Sequence, residues 1–137
     1  MSTAVVGLAE RVATVQQQVA AAAAASGRDP DDITIIAVCK TAPREAVDAA
    51  VELGLRHFAE NRVQDALRKF EAPLPPGCDL HLIGHLQTNK VRPAVGLFDV
   101  IETVDRPSLI TALEKEAARI EKRLPVLVQV NIAGEEQ

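Results

Sequence analysis

The sequence predicts an α/β fold of alternating strands and helices, and three observations carry that prediction. Short apolar runs rich in β-branched residues, the pattern of parallel strands buried on both faces, alternate with longer amphipathic runs. The apolar runs begin roughly 20–25 residues apart, the period of βα units joined by right-handed crossovers. One amphipathic helix precedes the first strand, and no internal sequence repeat underlies the period. A single domain over 1–137 is expected, with a helical segment in 1–27 and βα units in 33–137.

The first helix is expected over about 3–25. Val5, Leu8, Val12, Val15 and Val19 form its apolar stripe, and the run Ala20 to Ala25 extends it with high helix propensity. Ser26-Gly27 ends it and Asp29-Pro30 prevents a restart. Such a helix packs outside the sheet or plugs one end of a barrel. Strands are expected at about 33–39, 55–59, 80–84, 98–104 and 125–132, and helices at about 43–53, 62–70, 87–96 and 107–122. Pro43 and Pro107 suit first turns, and Gly54 follows its helix. In the last helix Ile110, Leu113, Ala117 and Ile120 read as the inward stripe, with Lys115, Glu116 and Arg119 facing water. Glu71 to Asp79, with three prolines and a glycine, is the one long loop.

Five such units fit an open doubly wound sheet or the first five-eighths of a barrel, and periodicity does not separate the two. The 137 residues are few for a whole barrel, which typically needs ~250. The sequence stops at Gly134-Glu135-Glu136-Gln137, directly after a strand, and a central parallel strand is rarely left uncovered. The expectation is therefore a truncated barrel.

Hydrophobic residues make up 47% and charged residues 25%, the balance of a globular protein with an aliphatic core, since the only aromatics are three Phe. A net charge of -4 gives no global attraction for nucleic acid or an anionic membrane. The alanine run is too short to span a bilayer, and Gln16-Gln17-Gln18 before it argues against a signal peptide. Cys39 and Cys78 read as reduced thiols of a cytoplasmic protein. Neither G-x-G-x-x-G nor a Walker pattern occurs.

Polar residues gather where each strand ends, the edge at which α/β proteins bind ligands. They are Lys40-Thr41, then Glu60-Asn61, then His85, Gln87 and Asn89, then Thr103 and Asp105, then Asn131. Lys40 closes the buried run Ile35 to Cys39. It is a surface residue, a phosphate clamp, or a partly desolvated amine suited to Schiff-base chemistry. Asn61 donates to a ligand oxygen or, the better expectation, caps the next helix. His85 contacts a ligand or is a structural loop residue, and Gly84 before it lets the backbone approach closely. Cys39 points away from the lysine by strand alternation and is expected to pack. His57 and His81 read as core or sheet-face residues. No second ligand recurs at metal-site spacing, so no metal is expected.

Four blocks carry a family resemblance: Ile36-Ala37-Val38-Cys39-Lys40-Thr41, Arg56-His57-Phe58-Ala59-Glu60-Asn61-Arg62-Val63-Gln64-Asp65, His81-Leu82-Ile83-Gly84-His85-Leu86-Gln87-Thr88-Asn89-Lys90, and Val126-Leu127-Val128-Gln129-Val130-Asn131. In order and spacing they resemble the pyridoxal phosphate homeostasis proteins, the PROSC or YggS family. The resemblance implies a (β/α)8 TIM barrel similar to the amino-terminal domain of alanine racemase, here the first five βα units. It implies pyridoxal 5′-phosphate held as an internal aldimine on Lys40, with Asn61 and His85 as further cofactor-binding positions. Family members are thought to buffer the cofactor and deliver it to apoenzymes without established turnover, and are cytoplasmic and often monomeric. The family usually has Ser at Cys39, and Gly-Glu-Asn-Tyr where this chain reads Ala59-Glu60-Asn61-Arg62. Its phosphate cradle lies in later strands, outside this sequence.

A racemase or decarboxylase would use the same imine but needs a positioned base. Racemisation on the related fold typically draws on a tyrosine, and this chain has none. A cofactor-free Schiff-base aldolase would use the same barrel position.

Overall fold

A computed structural model describes residues 2–136. Helix α1 (Leu8–Ala25) starts later than the stripe predicts, because Gly7 before it adopts a left-handed conformation with φ of 69°. Residues 3–7 form a turn instead of a helical extension. At the far end the Ser26 N–H and hydroxyl both donate to the Ala22 and Ala23 carbonyls, satisfying groups the last turn leaves open. A single 3-10 turn at Pro30–Asp32 leads to the sheet, capped by the Asp29 carboxylate, which accepts from the Asp31 N–H at 2.9 Å.

Five units follow: β1 (Ile36–Val38), α2 (Arg44–Glu52), β2 (His57–Glu60), α3 (Val63–Lys69), β3 (Asp79–Leu82), α4 (Val91–Leu97), β4 (Val100–Val104), α5 (Pro107–Arg119) and β5 (Val126–Val128). All pairings are parallel and the sheet order is β1-β2-β3-β4-β5. A doubly wound sheet reverses its strand order at a switch point, whereas a barrel adds each strand beside the last. The order here is the barrel's, which decides between the two architectures.

Alternation along the strands divides the sheet's two faces. Phe58, Leu80, Leu82 and Ile101 face the helices and meet Val47, Ala66, Val95, Phe98, Leu109 and Leu113 in one core. All three Phe residues are buried, at 4% exposure or less. The register pairs Ile36 with His57, Val38 with Ala59, and Ala59 with His81, so these residues share the opposite, inner face.

The last helix packs on a different stripe from the one the sequence suggests. Leu109 and Leu113 are buried, while Ile110 is 49% and Ile120 37% exposed. Ile110 is a quarter-turn off the buried line, and Ile120 lies past the helix in its C-cap. Glu116 is only partly exposed and pairs with Arg119. The expected helix over 87–96 opens as a 3-10 turn at Thr88–Lys90, and every strand is shorter than its apolar run. Helix α1 stands outside, against α2. Between it and β1 is an apolar cleft of about 430 Å³, lined by Leu8, Val12, Ile36, Val47 and Phe58 among others.

Arg44, at the start of α2, holds the long loop. Its guanidinium donates to the carbonyls of Ala72 and Pro73 and lies 5.5 Å over the Phe70 ring.

Candidate functional site

The sheet delivers Lys40, Asn61 and His85 to its carboxyl edge, as strand direction requires. Asn61 and His85 line one cleft of about 390 Å³, together with Arg62, Arg68, Gln87 and Lys90. Lys40 lines a neighbouring, more open cleft of about 520 Å³ with Thr41, Arg44 and Lys69. Asp65 and Arg68 border both, so the clefts are contiguous along the rim. Arg68 is oriented by Asp65, 2.6 Å away. Lysine and arginine outnumber carboxylates along this edge, and an anion is the ligand its charge favours.

Lys40 is exposed, not desolvated. The reason is local: β1 ends at Val38, and Lys40 begins a turn at the sheet's open edge, where no further strand covers it.

Asn61 does not cap α3. Arg62 occupies the cap position, and no side chain bonds the helix N–H groups there. The Asn61 amide is drawn inward, and its Oδ1 is buried without a partner. A buried acceptor left unmade costs about 1–3 kcal/mol, so this oxygen is suited to a donor brought by a ligand. What presses Asn61 into place is Gly84. A Cβ on Gly84 would lie 1.9 Å from the Asn61 carbonyl oxygen. The glycine therefore serves the closure of β2's exit against β3's.

His85 is exposed and its Nδ1 lies 3.9 Å from the Asp105 carboxylate, beyond hydrogen-bond distance. Its loop is held from β4's end. The Thr103 hydroxyl donates to the Gly84 carbonyl at 2.6 Å, and the Arg106 guanidinium to the Leu86 carbonyl at 2.6 Å.

Beneath the rim, on the helix side, lies a polar cluster that the sequence places wrongly. Glu60 reads as a rim residue but is fully buried, because it shares the helix-facing side of β2 with Phe58. Lys69, from the last turn of α3, donates to the Glu60 carboxylate and to the Cys39 carbonyl. The lysine thus holds the peptide group from which Lys40 extends. Cys39 packs as expected, its thiol donating to the Ala59 carbonyl at 3.2 Å. Burial pushes that thiol up from 9.0 to about 12, with the Glu60 carboxylate beside it adding to the rise and Lys69 opposing it.

Lys69 and Arg68 are absent from the residues the sequence singles out; both lie in the last turn of α3. Lys69 meets Glu60 only because α3 folds back over β2, a contact between elements that no local pattern marks.

No protein-family model matches the chain. Among curated proteins, it is 39% identical over 131 residues to the pyridoxal phosphate homeostasis protein of Escherichia coli (strain K12), covering 93% of this chain and 56% of the relative. The protein of that name from Pseudomonas aeruginosa is 38% identical over 128 residues, with the same coverage. The chain thus spans about half the length of the curated relatives it matches. Among solved structures, PipY of Synechococcus elongatus PCC7942 with pyridoxal phosphate bound aligns with a TM-score of 0.81 at 36% identity, over 93% of this chain and 56% of PipY. A protein from Bifidobacterium adolescentis aligns with a TM-score of 0.89 at 28% identity, over 99% and 59%. The five parallel strands and their helices match part of the barrel in these structures.

Proposed function

The chain belongs to the pyridoxal phosphate homeostasis protein family, as its amino-terminal portion, and from that premise we propose that its carboxyl rim holds pyridoxal 5′-phosphate on Lys40. One observation carries the reading: a free primary amine, two cationic side chains and an unpartnered buried acceptor share one edge of the sheet. These are Lys40, Arg68 with Lys90, and Asn61 Oδ1. The residues fit the group. Bound, the cofactor supplies an aldehyde that condenses with an amine, releasing water and leaving a C=N bond. Lys40 provides the amine, and its exposure keeps that bond open to exchange with other amines. Arg68 and Lys90 attract the anionic cofactor, while Asn61 and His85 line its cleft.

The function proposed is storage and delivery of the cofactor to apoenzymes in the cytoplasm, without turnover. The names of the relatives carry no enzymatic activity, and no helix among the described residues is long and apolar enough to cross a membrane. A racemase or decarboxylase needs a base beside the cofactor, and the absence of tyrosine from the sequence removes one source of it.

The test is direct. Protein mixed with pyridoxal phosphate turns yellow, and borohydride reduction followed by peptide mass mapping finds the added mass on Lys40. Lys40→Ala stays colourless. Full colour in that variant, or the mass on another lysine, refutes the assignment. A robust rate of alanine racemisation with added cofactor overturns the carrier reading, and cleavage of a keto-sugar by colourless protein favours the aldolase.

A further inference from the structure

The inner face of the sheet carries a second constellation, at the opposite end of the strands from Lys40. His57 and Asp79 open β2 and β3 and are register partners, and His81 lies two residues further along β3. His57 Nδ1 is 3.1 Å from His81 Nε2 and 3.6 Å from Asp79 Oδ2. The three ligand atoms all lie within 4.8 Å of one another. On β4, Glu102 places a carboxylate oxygen 2.8 Å from His81 Nδ1.

That last contact fixes the chemistry of the pair. With Glu102 accepting from Nδ1–H, the lone pair of His81 sits on Nε2 and faces His57. The rings meet edge to face, with planes 65° apart, and their 3.1 Å contact is an N–H···N hydrogen bond that a shared ion would replace. Two ligand atoms held at 2.0–2.1 Å on a tetrahedral ion are roughly 3.3–3.4 Å apart. The separations of 3.1 and 3.6 Å bracket that value. Asp79 is 47% exposed at its side chain, which leaves room for its carboxylate to adjust. A carboxylate behind a ligating histidine is the usual support that orients the ring and raises its basicity.

We propose that His57, His81 and Asp79 bind a divalent first-row transition-metal ion, zinc above all, with Glu102 as the positioning residue for His81. Two imidazoles and one carboxylate suit such ions and not magnesium or calcium, which prefer all-oxygen shells. Three protein ligands leave at least one position open for water or a small anion. The site is separate from the rim at which Lys40, Asn61 and His85 lie.

Cobalt(II) titration of the purified chain, followed by its visible absorption, tests this. One ion per chain is expected, displaced stoichiometrically by zinc, with zinc also raising the melting temperature. His57→Gln and Asp79→Asn should each weaken binding at least tenfold, and Glu102→Gln about 10–100-fold as for other supporting carboxylates. Circular dichroism checks that each variant is folded. Cys78→Ser and His85→Gln should bind as the parent does, and Lys40→Ala separates this site from the cofactor reading. Absence of binding by the parent chain overturns the proposal. So does undiminished binding by folded His57→Gln, or a loss confined to Cys78→Ser.

Discussion

Cys39 sits one residue before the proposed cofactor lysine, yet the structure makes it inert. Only the thiolate is nucleophilic, and a thiol pushed up to about 12 is protonated throughout the physiological range. The same shift sets a pH dependence of stability. An acid whose folded value is raised contributes fully below its unfolded value, and that contribution is lost as pH rises from 9.0 towards about 12. Stability should therefore fall above pH 9, and Cys39→Ser, which keeps a donor to the Ala59 carbonyl without titrating there, should fall less steeply. Urea midpoints at about pH 8 and about pH 10.5 measure this, with no tyrosine ionising in the same window. Parallel slopes in the two proteins would show that the thiol is not the group responsible. Single residues were unevenly legible in the sequence. Lys40, Asn61 and His85 reach the rim because strand direction dictates it. The inward turn of Asn61 and the pairing of Glu60 with Lys69 depend on contacts between elements, which no local pattern encodes.

At the level of elements, βα periodicity locates every strand and helix, while their packing lines and ends are set by neighbours. Helix α5 shows the distinction. A three- and four-residue step fits both Ile110-Leu113 and Leu109-Leu113, and only the groove against α4 selects the second. The histidine cluster has the same origin. Its members are 24 and 21 residues apart, one βα period, so parallel register brings together residues that no short metal motif connects. The exits of β2 and β3 meet at Gly84, where a side chain has nowhere to go because the obstacle is the Asn61 backbone. Gly84→Ala is expected to destabilise the chain by about 1–3 kcal/mol, the range for overpacking, and to displace Asn61 from the cleft. Chemical denaturation gives the first quantity. Pyridoxal phosphate titration gives the second, as weakened affinity in excess of any unfolded fraction. A neutral effect on both would mean that the two exits are looser than the structure has them.

For the molecule as a whole, the decisive feature is a parallel sheet with two free edges. Val38 on β1 is 53% exposed, and on the other side Val126, Leu127 and Val128 are 43%, 55% and 68% exposed, followed by Val130 at 68% and Ile132 at 94%. Strands of a parallel sheet are ordinarily covered on both faces, and an apolar edge with unpaired N–H and C=O groups is a template for another chain. The edge is too apolar to remain solvated at high concentration, and the relatives run to nearly twice this length. The 137-residue chain by itself should therefore associate as its concentration rises, whereas a chain extended to the relatives' length with strands that cover this edge should stay monomeric. Sedimentation velocity over a hundredfold concentration range reads the difference. Leu127→Lys and Val128→Lys, which place charges on the edge, should shift the chain back towards monomer, as edge lysines do in natural sheets. A chain extended to the relatives' length should also bind pyridoxal phosphate more tightly where the added segment brings backbone donors to the phosphate beside the cations of this rim. Equal affinity in the two forms would mean that Arg68, Lys90 and their neighbours already satisfy the phosphate. A chain that remains monomeric at every concentration would mean instead that the exposed edge is held closed by its own twist.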